Sequence, residues 1–237
     1  METVKSRPTD LELDLACLSV REVNYYLHHE AAAAGVRHVE VLHPDGKHNL
    51  AVGLTADIDI HIRGHVGYYA AAMNQLARVT IHGSAGRGVA ENIMSGTVLV
   101  KGNASDCAAA SGHGGLVVIE GDAASRLGIS LKGSDVVVRG NAGHATGFMA
   151  QAGRMVICGD AAAGLGDSLY EAVIYVGGNI HGLGADAREE PMTDDDRRQV
   201  TELLAAAGFN LSAGAFRRVA SARTLYHWNS AHAAHYG

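Results

Sequence analysis

The sequence predicts an all-β fold, a single-stranded parallel β-helix of 19-residue coils with a helix flanking each end. Three observations predict it. Seven short apolar strands each run into a glycine, in "IHIRG", "VTIHG", "VLVKG", "VVIEG", "VVVRG", "MVICG" and "IYVGG". Those glycines, Gly64, Gly83, Gly102, Gly121, Gly140, Gly159 and Gly178, recur every 19 residues with no insertion or deletion. The 237 residues include 30 glycines but only 3 prolines, without a collagen triplet, so the glycine excess over an average of about 7% belongs to a repeat and not to a linker. A constant period of this length marks a solenoid, whose units bury their apolar faces only by stacking.

Three sections follow in order. Residues 1–57 form an N-terminal cap. Here Ser19 and Glu22 have capping-box spacing, which predicts a helix from Val20 to Ala34 ending at Gly35, and "VRHVEVLHP" reads as a strand. Residues 58–188 form the repeats. Four and two residues before each marker glycine stand apolar side chains, from Ile60 and Ile62 to Ile174 and Val176, which share the inner face of a strand. One residue after it come His65, Ser84, Asn103, Asp122, Asn141, Asp160 and Asn179, types that tolerate tight-turn angles. The marker glycines are accordingly read as structural turns. Two residues after it, Val66, Ala85, Ala104, Ala123, Ala142, Ala161 and Ile180 point into a narrow interior. The remainder of each coil has room for two more short strands. Coils stacked about 4.8 Å apart make a rod roughly 30 Å long, and its open edges need covers. Residues 189–237 supply a C-terminal helix and a docking tail. Thr193 is the N-cap, Asp194 to Asp196 suit the positive end of the helix, Val200, Leu203, Leu204 and Ala207 form the apolar stripe, and Gly208 ends it. The tail carries Phe216, Tyr226, Trp228 and Tyr236 and is expected to dock.

The outward column three residues before each glycine reads His61, Thr80, Leu99, Val118, Val137, Val156 and Tyr175. Its apolar run would expose a few hundred Å², as interaction surfaces do. Leu99, Val118, Val137, Val156 and Tyr175, with Tyr226 and Trp228 of the tail, are therefore the candidate partner interface. The alternative cover is the chain's own C-terminal helix or tail.

Chemistry is sparse. A net charge of −6 without a basic run lacks the cationic footprint of nucleic-acid binding. Cys17, Cys107 and Cys158 are odd in number and far apart, which suggests reduced thiols in a cytoplasm. No stretch approaches 18 apolar residues, so no membrane contact is expected. Among 14 histidines, His65, His82, His113, His144 and His181 occupy different phases of the coil and do not converge as zinc ligands must; no metal site is expected. "GLGADA" at residues 182–187 matches a dinucleotide-binding pattern, but "REEP" follows where an apolar helix is required, so it reads as the last coil turning. No catalytic or cofactor-binding residue is expected.

Taken together, "GHVGYY", "GVAENIMSG", "GISLKG", "GFMAQAG", "GDSLYEA" and the ending "SARTLYHW" resemble the GXGXG β-helix domain of the glutamate synthase large subunit. The resemblance is closest to the free-standing β-helix subunit of N-methyl-L-glutamate synthase and its glutamate-synthase-like relatives, and covers nearly the whole chain. It implies a right-handed β-helix, in keeping with the usual hand of parallel crossovers. It also implies a hetero-oligomer with a glutamine-amidotransferase-like subunit and an FMN and iron–sulfur synthase subunit, both cofactors lying on the partner. The reaction implied for the whole complex converts methylamine and L-glutamate into N-methyl-L-glutamate and ammonia. This chain would serve it as a non-catalytic scaffold. The alternative is the similar β-helix subunit of formylmethanofuran dehydrogenase or of the formyltransferase/hydrolase complex.

Overall fold

The computed structural model describes residues 9–31 and 33–223. One eleven-stranded sheet carries most of the architecture. Strands β1 (Thr9–Asp14) and β2 (Val36–Leu42) pair in parallel, joined through helix α1 (Val20–His29). The coil strands follow: β3 (Asp59–Arg63), β4 (Arg78–Ile81), β5 (Thr97–Val100), β6 (Leu116–Ile119), β7 (Lys132–Val138), β8 (Ala152–Ile157) and β9 (Val173–Val176). Each pairs in parallel with the next, and the partners are 19 residues apart wherever the register is regular. The expected solenoid is therefore present, with seven coil strands and two α-helices among the described residues.

The core is a column inside the stack. Ile60, Ile62, Val79, Ile81, Val98, Val100, Val117, Ile119, Val136, Val138, Met155, Ile157, Ile174 and Val176 all have no exposed surface. The position two residues after each marker glycine forms a second ladder, of single-residue parallel bridges from Val66 through the alanines to Ile180. The two further strands expected in each coil are not formed. That arc instead alternates left-handed residues, such as Cys107, Ala109 and Ser111. The alternation turns successive amides toward opposite neighbours: Ala109 N–H donates back to the Val89 carbonyl, while Cys107 and Ser111 donate forward to Ser125 and Ile129. Backbone hydrogen bonds thus still run between coils on the side without strands.

The marker glycines have a different cause from the turn angles expected. Of the seven, only Gly64 has a positive φ. A Cβ on Gly121 would lie 2.8 Å from the Gly102 carbonyl oxygen and 2.1 Å from Asn103 Oδ1. Gly140 would meet Gly121 and Asp122 in the same way. Glycine is required because one coil crosses close above the last. The polar column beside it likewise forms a ladder: Asn103 Oδ1 accepts from Asp122 N–H at 2.9 Å, Asp122 from Asn141 at 2.7 Å, Asn141 from Asp160 at 2.8 Å and Asp160 from Asn179 at 2.7 Å.

Both helices start at the capping boxes the sequence marks, Ser19 with Glu22 and Thr193 with Asp196. Helix α1 stops at His29, short of the expected Ala34. Its chain unwinds through wide turns in which Ala31 N–H donates to Tyr26 and Val36 N–H to Ala31, and this leads directly into β2. Helix α2 (Asp194–Ala206) ends in a Schellman motif, with Gly208 at φ +77° donating to Ala205 and Phe209 donating to Leu204. Two strands lie beyond the sequence reading. β10 (Ala187–Glu190) and β11 (Arg217–Ser221) pair antiparallel, and β11 also pairs antiparallel with β9, covering the edge of the last coil. Among the described residues no helix is long and apolar enough to cross a membrane.

Candidate functional site

The outward face of the coil strands divides into a covered half and a bare half. On the covered half Val118, Val137, Val156 and Tyr175 are buried against Val200, Leu203 and Leu204 of α2, with Phe209, Ala213 and Phe216. Leu99 is partly buried at the margin of this cluster. The expectation that a partner covers this column is therefore corrected: the chain's own C-terminal segment lies on it. Phe216, expected in a docking tail, belongs to that internal cluster. Tyr226 and Trp228 lie outside the described residues.

A polar latch fixes the cover. Tyr175 Oη donates to Asp196 Oδ1 at 2.7 Å, and Arg218 Nε donates to the same oxygen at 3.2 Å. Thr193 donates to Asp196 Oδ2 from its amide at 2.8 Å and from its hydroxyl at 2.6 Å. Burial alone would raise the Asp196 carboxyl, but the bonds from Thr193 and Tyr175 hold it below the usual carboxylate range. Burial, and then the bond to Asp196, pushes the Tyr175 hydroxyl up. An open cleft of about 810 Å³ beside the latch is lined by Arg188, Glu190, Asp196 and Arg218 among others. Its arginines pair with its own carboxylates, Arg188 with Glu190 and Arg218 with both Glu190 and Asp196, while Glu189 and Asp195 pair with Arg217 and Arg198 outside its lining.

The bare half lies on β2, β3 and the end of β4, and it is polar. Register places His38 beside Asp59, Glu40 beside His61 and Asp59 beside Arg78. His38 Nε2 lies 3.2 Å from Glu40 Oε1, and His38 Nδ1 lies 3.7 Å from Asp59 Oδ2. His61 Nε2 is 3.6 Å from Asp59 Oδ1, and its Nδ1 is 2.9 Å from His82 Nε2. Arg63 forms a two-pronged pair with Glu40 and places Nη1 3.0 Å from His82 Nε2. The Arg63 hydrogen bond holds the Glu40 carboxyl below its usual range, against the opposing effect of burial. Burial, then the charges of Arg63 and His61, keeps the His82 imidazole below its ordinary value. Asp59 Oδ1 is enclosed and has no hydrogen bond. His38, Asp59 and His61 offer three ligand atoms within 4.8 Å of one another.

Phase within the 19-residue repeat does not reveal this cluster, because His38 sits outside that period. Its strand β2 is offset from β3 by 21 residues, from His38 to Asp59. The usable signal is the alternation of "HVE" and "DIHIR", which sets polar side chains on one outward face of two adjacent strands. The thiols offer less. Cys107 is buried, and burial pushes the Cys158 thiol up to about 11, away from the thiolate a nucleophile needs.

Comparison with known proteins gives a partial relation. The chain is similar to Protein GlxC of Rhizobium meliloti (strain 1021). The two are 47% identical over 88 residues, which is 37% of this chain. The match spans 39% of GlxC's own length. No protein-family model matches the chain.

Proposed function

We propose that this chain is the non-catalytic β-helix scaffold subunit of a glutamate-synthase-like complex of the N-methyl-L-glutamate synthase type. The complex joins methylamine to L-glutamate, giving N-methyl-L-glutamate and releasing ammonia. Its other members are a glutamine-amidotransferase-like subunit and a synthase subunit carrying FMN and an iron–sulfur cluster. The observation that carries the reading is the uninterrupted run of seven 19-residue coils bearing "GVAENIMSG", "GFMAQAG" and "GDSLYEA". Identity of 47% to GlxC over 88 residues supports a kinship beyond the coil pattern that unrelated β-helices share.

The partner surface must lie away from the column that α2 covers. Large exposed apolar side chains gather on the turn-rich arc of the first two coils: Tyr68, Tyr69, Met73, Leu76 and Met94. Such side chains are what an assembling subunit would bury. Affinity purification of the tagged chain from its native host tests the assembly, read by native mass and a visible absorption spectrum. Two stoichiometric partners with flavin and iron–sulfur bands are expected. A colourless single species would overturn the reading.

A further inference from the structure

We propose that His38, Asp59 and His61 bind one divalent first-row transition metal ion on the outward face where β2 meets β3. The inference rests on this chain's geometry and is independent of the scaffold role. Zinc bonds of about 2.0–2.1 Å in a tetrahedral shell set ligand atoms roughly 3.3 Å apart. Asp59 already holds its two oxygens 3.7 Å from His38 Nδ1 and 3.6 Å from His61 Nε2. One ligand atom from each of the three residues lies within 4.8 Å of the others, so side-chain rotation that closes them by up to about 1.5 Å would complete the shell.

Hydrogen bonding on the far side of each ring aims the right nitrogen inward. Glu40, paired with Arg63, can only accept, so His38 Nε2 carries the proton and Nδ1 keeps its lone pair toward Asp59. His61 Nδ1 lies 2.9 Å from His82 Nε2, and donation from the first to the second leaves the His61 Nε2 lone pair facing Asp59 Oδ1. The two nitrogen lone pairs therefore face the two oxygens of one carboxylate, His38 Nδ1 toward Oδ2 and His61 Nε2 toward Oδ1, and Oδ1 is enclosed and lacks any hydrogen bond. A divalent cation between them satisfies all three. The arrangement also reproduces the outer hydrogen bonds that orient metal-bound imidazoles. Arg63 is paired with Glu40, whereas Asp59 has only the two imidazoles as ion-pair partners among the described residues, so its charge favours an ion.

Two imidazoles and a carboxylate suit zinc or another first-row divalent ion better than calcium or magnesium. The three side chains keep 23–33% of their surface, which leaves a coordination position open to solvent or to a ligand from a partner. The ion would also fasten β2, which lies outside the 19-residue register, to the first coil.

The test is calorimetric titration of Zn²⁺ into the full-length chain after chelator treatment and dialysis. One ion per chain is expected, with a raised melting temperature. His61→Ala and Asp59→Asn should abolish the stoichiometric site, Glu40→Gln should weaken it about 10–100-fold, and His113→Ala should leave it intact. X-ray absorption of the zinc-loaded wild type gives a readout that does not depend on any variant folding: nitrogen and oxygen neighbours at about 2.0–2.1 Å are expected. No stoichiometric uptake by the wild type, sulfur in the shell, or uptake unchanged by Asp59→Asn and His61→Ala would each overturn the proposal.

Discussion

The side chain that decides coil spacing is one that is missing. Gly140 lies under the Asp122 carboxylate and the Gly121 carbonyl, at 2.2 Å and 2.7 Å from where a Cβ would stand. Gly140→Ala should therefore cost about 1–3 kcal/mol by overpacking, measured by denaturant unfolding. Because Gly121 is backbone and cannot rotate aside, adding Asp122→Ala should not restore the loss; full rescue would show that only the side-chain ladder makes the glycine necessary. The sequence carried the position of these glycines and the reason only in part. A repeating glycine signals either an unusual φ or a close approach, and nothing in the one-dimensional pattern separates the two. His38 was hidden for a related reason. Its strand sits two residues off the period that organises everything after it.

At the scale of elements, helix α2 illustrates what local chemistry can and cannot say. Thr193, Asp196 and Gly208 set its ends, and these were legible because caps act within a few residues. The stripe Val200, Leu203 and Leu204 was also legible, but its destination was not: an apolar stripe fits an apolar column on the same chain or on another equally well. The structure seats it on Val118, Val137, Val156 and Tyr175. Val137→Asp should accordingly place an unpaired charge in a closed interface and release or unfold the C-terminal segment, at a cost of several kcal/mol. Limited proteolysis near α2, compared with the wild type, measures it; a variant as resistant as the wild type would mean the column is not sealed from within.

The latch adds a pH dependence. Asp196 has its carboxyl held below the ordinary value of 3.8 in the folded chain. A group depressed on folding stabilises above its unfolded value, and that stabilisation is lost as pH falls through the folded one. The difference in melting temperature between wild type and Asp196→Asn should thus be full at neutral pH and shrink below about pH 4. An equal difference at pH 3 and pH 7 would contradict the latch. Strands β10 and β11 had no sequence signal at this scale. "AREE" and "RRVAS" show no clean alternation; β11 forms on the unpaired edge of the last coil strand, and β10 in turn pairs with β11.

At the scale of the molecule, the repeat determines nearly everything that the sequence makes legible. Each coil reuses one set of contacts, so a period read from seven glycines fixes seven strands and their register. What the period cannot encode is whatever occurs once: the cover over the apolar column, the cap of β11, the polar cluster on β2 and β3, and the surface left for a partner. The inner column runs unbroken through the coils, while the outer face is covered only over its C-terminal half. Under the proposed function, this chain supports a reaction that it does not itself perform. The direct measurement is formation of N-methyl-L-glutamate from methylamine and L-glutamate in extracts of the native host, with and without this chain, and by the purified chain alone. The account predicts activity in the intact host, loss of it without the chain, recovery when the chain is restored to the host, and no turnover by the chain alone. Turnover by the isolated chain, or undiminished activity in its absence, would contradict it.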